Sequence, residues 1–300
     1  MGDRISGAWF GWPGTTLEDG GNYLFTPEQK AEFLKVEPAV ENHFRRWLGS
    51  EEFINGIERW CLWLGDCSPD ELRKMPHAMA RVEAVRNFRL ASKSPPTRKI
   101  AEIPTRFHVE YFPKRNFLVV PEVSSERRPY IPIGFMRPEI LCSNKLRILP
   151  DATLFQFGIL SSAMHMAWVR RVTGRLKSDF QYSVKLVYNN FPWPVNAAPK
   201  QRETVEKAAQ AVLDARQQFP GATLADLYDP LAMPPVLVKV HAELDRAVDL
   251  CYRREPFETE RQRVEYLFTL YEKLTAPLLP VTASKGARKT KRPAPAAPAM

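Results

Sequence analysis

Residues 174–194 read GRLKSDFQYSVKLVYNNFPWP. Polar positions alternate with β-branched or aromatic ones, and the run ends in an aromatic, proline-locked stop, which is the pattern of an extended segment. Successive side chains of a strand alternate faces, so one unbroken strand sets Arg175, Lys177, Asp179 and Gln181 along a single side. Such a row suits the reading of base edges, because Lys donates to guanine, Gln pairs bidentately with adenine and Asp accepts from cytosine. An edge strand with a solvated polar face has the same spacing.

The formal charge of +9 is unevenly distributed: residues 1–80 carry −5, residues 81–185 carry +11, residues 186–278 carry −2, and the tail from Leu279 carries +5. A basic block between mildly acidic ones marks a localised polyanion footprint, or else an ordinary solvated surface. Two polar clusters inside this block mix hydroxyls with cations. In SKSPPTRK at 92–99, Lys93, Arg98 and Lys99 can grip phosphates by charge; in SSERR at 124–128, Ser125, Arg127 and Arg128 can do the same, although a loop salt-bridged through Glu126 explains that cluster equally well.

A chain of 300 residues with 44% hydrophobic residues has enough material for a sizeable core in one large or two modest domains. No apolar run reaches the length of a membrane span and the N-terminus has no signal-peptide pattern, so the expectation is a cytoplasmic protein without membrane contact. Cys61, Cys67, Cys142 and Cys251 form no C-x-x-C pair and have no histidine at zinc-finger spacing, so reduced thiols are expected and no metal site.

Along the chain, residues 1–27 lack a sustained period and read as a leader or linker. Phe33, Leu34, Val40, Phe44, Trp47 and Leu48 suggest a helix, residues 59–64 a buried strand, and residues 72–90 an amphipathic helix delayed by Pro76. Strands are expected at 107–111, 117–121 and 130–135, followed by one long helix capped by Asp151 and running through Val172. Beyond Pro194 the texture is helical, with Thr223 as a cap, Pro234 and Pro235 opening one helix, and Thr259 with Gln262 forming a capping box for the last. Residues 279–300, rich in Lys, Arg, Pro and Ala, read as a disordered basic tail.

The segments ERWCLWLGD (58–66), RVEAVRNFRLASKS (81–94), VVPEVSSERRPYIPIGF (119–135), SSAMHMAWVRRVTGRLKSDFQYS (161–183) and LVYNNFPWP (186–194) together resemble the MmeI-like enzymes. These are type IIL restriction-modification proteins that join nuclease, adenine methyltransferase and DNA-recognition modules in one chain. The resemblance runs from about Glu28 to Ala276 and covers the target-recognition region and the helical domain after it. It implies an α+β chain, with a mixed α/β target-recognition domain at 28–196 and a small all-α domain at 197–278.

Relatives in this family methylate adenine N6 with S-adenosylmethionine, which needs a glycine-rich loop and a [DNS]-P-P-[YFW] tetrapeptide around a flipped base. No G-x-G occurs in this sequence; SPPT at 94–97 lacks the aromatic, and NFPW at 190–193 has one proline. Pro69 and Asp70 look like the start of a nuclease motif, but no Glu-x-Lys follows. His165 lies near Ser161 and Ser162 without a nucleophile elbow. No catalytic residue and no cofactor is therefore expected in this chain, and the resemblance assigns S-adenosylmethionine and Mg2+ to missing methyltransferase and nuclease modules encoded separately. The expected partner is double-stranded DNA. The alternatives are an orphan DNA-binding module, an inactive truncated fragment, or a protein-interaction module.

Overall fold

A computed structural model describes residues 12–276. The basic tail and the first eleven residues lie outside that range. Residues 12–27 are not a linker. β1 (Trp12–Pro13) and β2 (Leu24–Phe25) are hydrogen-bonded into two different sheets, and Thr15 N donates to Cys142 O at 2.7 Å. Gly14 is the residue that permits this approach, since a Cβ there would lie 2.2 Å from the carbonyl oxygen of Ser143.

The first lobe is built on β2, β3 (Phe44–Leu48) and β4 (Trp60–Leu62), with helices α1 (Pro27–Val36), α2 (Ser50–Asn55), α3 (Pro69–Leu72), α4 (Pro76–Leu90) and α5 (Pro95–Lys99) around them. The helix expected across residues 33–48 stops at Val36. Pro38 disfavours helical backbone at Glu37, a 3₁₀ turn follows at Pro38–His43, and the remaining apolar residues belong to β3. Glu37 then takes another part. Its buried carboxylate accepts from the backbone N–H groups of His77 and Ala78, at 2.9 and 2.8 Å, and so caps α4 from a distant segment. Arg89 on α4 is fully buried and spends its guanidinium on the backbone. It donates to the carbonyls of Leu17, Glu18, Ile100, Ile103 and Arg106, tying the N-terminal strands to residues 100–106.

The central sheet has the order β1, β9 (Leu146–Pro150), β5 (Phe117–Pro121), β7 (Gly134–Met136), all antiparallel, with Val119 opposite Ile148. The expected strand at 107–111 is reduced to a single bridge, Thr16 to Val109. β8 (Leu141–Cys142) pairs in parallel with β3 and joins the two lobes. β5 passes almost directly into β6 (Val123–Ser124), which leaves this sheet and joins β10 (Gly174–Leu176) and β11 (Asp179–Gln181) in a third.

The expected long helix is two, α6 (Leu154–Leu160) and α7 (Ala163–Val172). Thr153 caps the first and Ser162 the second; Asp151 adopts a left-handed φ of 54° and pairs with Arg115 instead. A π-helical turn follows at Val184–Tyr188, and then α8 (Pro199–Gln217), α9 (Leu224–Leu227), α10 (Pro235–Asp249) and α11 (Glu260–Thr275). Thr223, Pro235 and Thr259 begin helices where the sequence places them, although Gln262 accepts from Glu258 N rather than closing a box on Thr259.

These C-terminal helices have no separate core. Leu118, Phe157 and Trp168 from the strands and α6–α7 share one continuous apolar cluster with Val205, Leu244 and Leu267. Gly158 leaves no room for a side chain in this seam. A Cβ there would sit 2.8 Å from Val205 Cγ1 and 3.2 Å from the Ala209 Cβ.

Buried polar contacts cross the same seam. Tyr130 donates to Asp245 Oδ2 at 2.7 Å, Ala163 N donates to Asp245 Oδ1 at 2.7 Å, and Arg216 donates to the Ile133 carbonyl at 2.7 Å. Burial pushes the Asp245 carboxyl up to about 6. It pulls His165 down to about 4 and, with the nearby Arg216 guanidinium adding to it, His241 down to about 3.

Two outcomes are expected. Gly158→Ala overpacks the seam and lowers stability by about 1–3 kcal/mol, read as a fall in the urea midpoint at constant m-value. Between pH 6 and 4 unfolding binds two protons at His165 and His241 and releases one from Asp245. Stability therefore falls on acidification, by about 1 kcal/mol per pH unit; Asp245→Asn removes the opposing proton and steepens the fall, as denaturation midpoints across this range will measure.

Candidate nucleic-acid interface

The stretch after α7 is a hairpin rather than one extended rib. Gly174 pairs with Gln181, Arg175 with Phe180 and Leu176 with Asp179, and Lys177 with Ser178 forms a two-residue turn in which Lys177 has φ 56°. A lysine in the left-handed region is uncommon, and the Asn-Gly or Asp-Gly signal that usually marks such turns is missing. Residues directly opposite on antiparallel strands share a face and faces alternate along each strand. Asp179 and Gln181 therefore lie on one face with Leu176, Arg175 lies on the other, and Lys177 stands at the apex. The expectation that all four point to one side is corrected by the turn.

Arg175 acts as a brace. Its guanidinium stacks over the buried Phe180 ring at 4.3 Å, donates to the Ser178 carbonyl at 2.9 Å and pairs with Glu126 Oε2 at 3.0 Å. Further toward the base, Thr173 Oγ1 donates to the Gln181 carbonyl at 2.6 Å and Tyr182 N donates to the Glu122 carbonyl at 2.7 Å. The Tyr182 ring is buried, and its hydroxyl lies 3.1 Å from His165 Nε2, whose Nδ1 is 3.0 Å from the Leu160 carbonyl. A carbonyl only accepts, so Nδ1 carries the proton and Nε2 accepts from Tyr182. Neutral His165 thus anchors the hairpin to α7.

β6 brings the second polar cluster into the same sheet, with Phe180 opposite Ser124 and Gln181 opposite Val123. Ser125 Oγ accepts from Arg127 N at 3.3 Å, and the Arg127 side chain is exposed. Arg128 is half-buried; burial lowers its affinity for its proton, and Asp179 and Asp229 oppose that effect. The Arg128 guanidinium lies 3.5 Å from Ser124 Oγ, and it lines a small surface cavity with Ala225, Asp229 and Pro230 at the end of α9. Lys93, Arg98 and Lys99 are exposed on a different part of the molecule, where α5 packs on α4 and the turn Ile100–Glu102. Arg98 donates to the Ser92 carbonyl at 2.8 Å. The structure unites Ser125, Arg127 and Arg128 with the hairpin and leaves the other three cations on the first lobe.

A cleft of about 610 Å³ opens beside the hairpin base, lined by Gln181, Ser183, Lys185, Leu186, Asn189 and the pair Glu122 and Arg147. Glu122 accepts from Arg147 at 2.9 Å and lies 3.4 Å from Lys145. These residues escaped the sequence reading, although KLRIL at 145–149 carries a strand-like alternation in which Leu146 and Ile148 are buried and Lys145 and Arg147 are not.

The two segments nearest in sequence to a methyltransferase tetrapeptide have structural parts here. No grouping of three or more His, Cys, Asp or Glu could hold a metal ion among the described residues. SPPT at 94–97 forms the start of α5 with Thr97 buried; NFPW at 190–193 buries Phe191 and Trp193 and spends the Asn190 amide on the carbonyls of Lys185 and Leu186. Both segments are committed to the fold. Among the described residues no helix is long and apolar enough to cross a membrane.

Mixed sheets carrying an exposed polar hairpin and braced by a helical domain define the chain as an α+β recognition-type module. Its residues 12–195 match the family model "MmeI, target recognition domain" and residues 197–279 match "MmeI, C-terminal domain", and the chain belongs to this MmeI family. A solved structure of the type IIL restriction-modification enzyme MmeI in complex with DNA is similar at 44% identity and a TM-score of 0.89, over 92% of this chain and 37% of that one. DNA methyltransferase A of Bacillus subtilis (strain 168) is 38% identical over 262 residues, which is 87% of this chain and 30% of the relative. The chain thus spans about a third of the length of these proteins.

Bracing by Arg175 has a measurable consequence. Arg175→Ala is expected to speed amide exchange across residues 174–181 while leaving exchange in α8 and α10 unchanged, as hydrogen-exchange mass spectrometry will resolve.

Proposed function

We propose that this chain is the sequence-reading portion of a restriction-modification DNA methyltransferase that acts on adenine N6. The observation that carries this reading is the hairpin, whose exposed polar tip stands beside an open cleft that Gln181 and Lys185 line, on a chain of the MmeI family. Lys177, Asp179 and Gln181 discriminate bases in the major groove. Arg127 and Ser125, on the adjoining turn, hold backbone phosphates and set register; Arg128 supports Asp179 from a half-buried position. Lys93, Arg98 and Lys99 add nonspecific attraction from the first lobe, and Arg175 keeps the hairpin in shape.

The duplex is the partner. Methyl transfer and cleavage, with S-adenosylmethionine and Mg2+, belong to modules beyond these residues, and the working place is the cytoplasm, where such a module meets DNA. The helical domain braces the recognition domain through the shared core, and its near-neutral charge agrees with that part.

The test is a gel shift on a randomised duplex pool, with sequencing of the retained fraction. Lys177→Ala is expected to relax preference at one base position by about 5- to 150-fold, the equivalent of 1–3 kcal/mol per pair. Gln181→Glu is expected to change the selected base at one position with overall retention nearly unchanged. A chain that retains no duplex even at low salt would overturn the proposal, and uniform weakening across all sequences would move Gln181 from base reading to the backbone or the fold.

A further inference from the structure

The π-helical turn Val184–Tyr188 contributes Val184, Lys185 and Leu186 to the cleft that Gln181 also lines, and no role in the reading described so far uses it. Its backbone is held from several sides. Ser183 Oγ accepts from Leu186 N at 3.3 Å, the Asn190 amide donates to the carbonyls of Lys185 and Leu186 at 2.8 and 3.2 Å, and Trp168 Nε1 donates to the Val187 carbonyl at 3.0 Å. Val187 and Tyr188 are buried beneath it. Lys185 and Leu186 are therefore presented outward from a fixed turn. Both are exposed and both line the cleft, and Lys185 has no ion-pair or hydrogen-bond partner for its ammonium among the described residues. Single π-helical turns are frequent at functional sites.

We propose that this turn forms the second wall of a duplex-binding groove and that Lys185 neutralises one backbone phosphate, fixing the register in which Gln181 meets a base. The inference rests on the DNA-reading proposal above and adds a contact to it. The other charged residues lining the cleft, Glu122 and Arg147, satisfy each other in an ion pair, so Lys185 is the free cation of the cleft among the described residues. A phosphate also suits the geometry of the ligand. A nucleic-acid strand laid along the open cleft can place a phosphate at the exposed Lys185 ammonium and a base edge at Gln181, since both line it.

Counterion release gives the experiment. For the full chain on a duplex selected from the random pool, the logarithm of the observed association constant falls linearly with the logarithm of salt concentration. Lys185→Gln is expected to reduce the magnitude of that slope by about 0.9, one phosphate's share, with the selected sequence unchanged, and Lys185→Arg to restore it. The substitution touches no contact of the fold, so a purely structural part for Lys185 leaves the slope alone. An unchanged slope in Lys185→Gln, with the wild type still selecting its sequence, overturns this inference and spares the DNA-reading proposal. A new base preference at one position also overturns it, by making Lys185 a base reader. A wild-type chain that retains no duplex sinks both.

Discussion

The apolar seam between α6–α7 and the C-terminal helices is the constraint on which the recognition surface depends. Gly158 lets α8 and α10 come close, and the core that results runs without interruption from Leu118 in the central sheet to Leu267 in α11. From this seam α7 carries His165, His165 holds Tyr182, and Tyr182 ends the hairpin. The position of the hairpin's outward side chains is thus set by packing some distance away. Burial keeps His165 neutral, and neutrality is what lets one ring nitrogen accept from Tyr182 while the other donates to the Leu160 carbonyl.

A second constraint lies in Glu122. Residues on either side of it belong to different sheets, and its own carbonyl accepts from Tyr182 N while its backbone N–H donates to the Lys145 carbonyl. One residue therefore hands the strand from the central sheet to the hairpin sheet. Its carboxylate, largely sequestered, pairs with Arg147 and Lys145 and so ties this crossing to the segment 145–147 beside the cleft.

Much of this was legible in the residues. Thr223 and Pro235 opened helices where local chemistry said they would, and FLVVP at 117–121 is a buried strand as its continuous apolar run suggested. The failures have physical causes. The apolar spacing of residues 33–48 fits a helix, but Pro38 ends it, and the two-residue strands at 12–13 and 24–25 are too short to carry a period. The hairpin was hidden because Lys177 takes a backbone conformation that its side chain does not advertise. That Ser125, Arg127 and Arg128 join the hairpin follows from pairing of Val123 and Ser124 with β11, a long-range register that no local pattern encodes. The same register left Lys93, Arg98 and Lys99 elsewhere.

Within the hairpin, labour is divided residue by residue. Phe180 and Tyr182 are sunk in the core and Arg175 is clasped by Glu126 and Ser178, whereas Lys177 is exposed and Asp179 and Gln181 are half so. The side chains that would face a ligand contribute little to cohesion, and those that supply cohesion face inward. Replacement of the outward set is thus nearly silent for folding. If the tip reads the duplex as proposed, a lineage can drift from one preferred ligand sequence to another by single substitutions there, without passing through an unfolded ancestor.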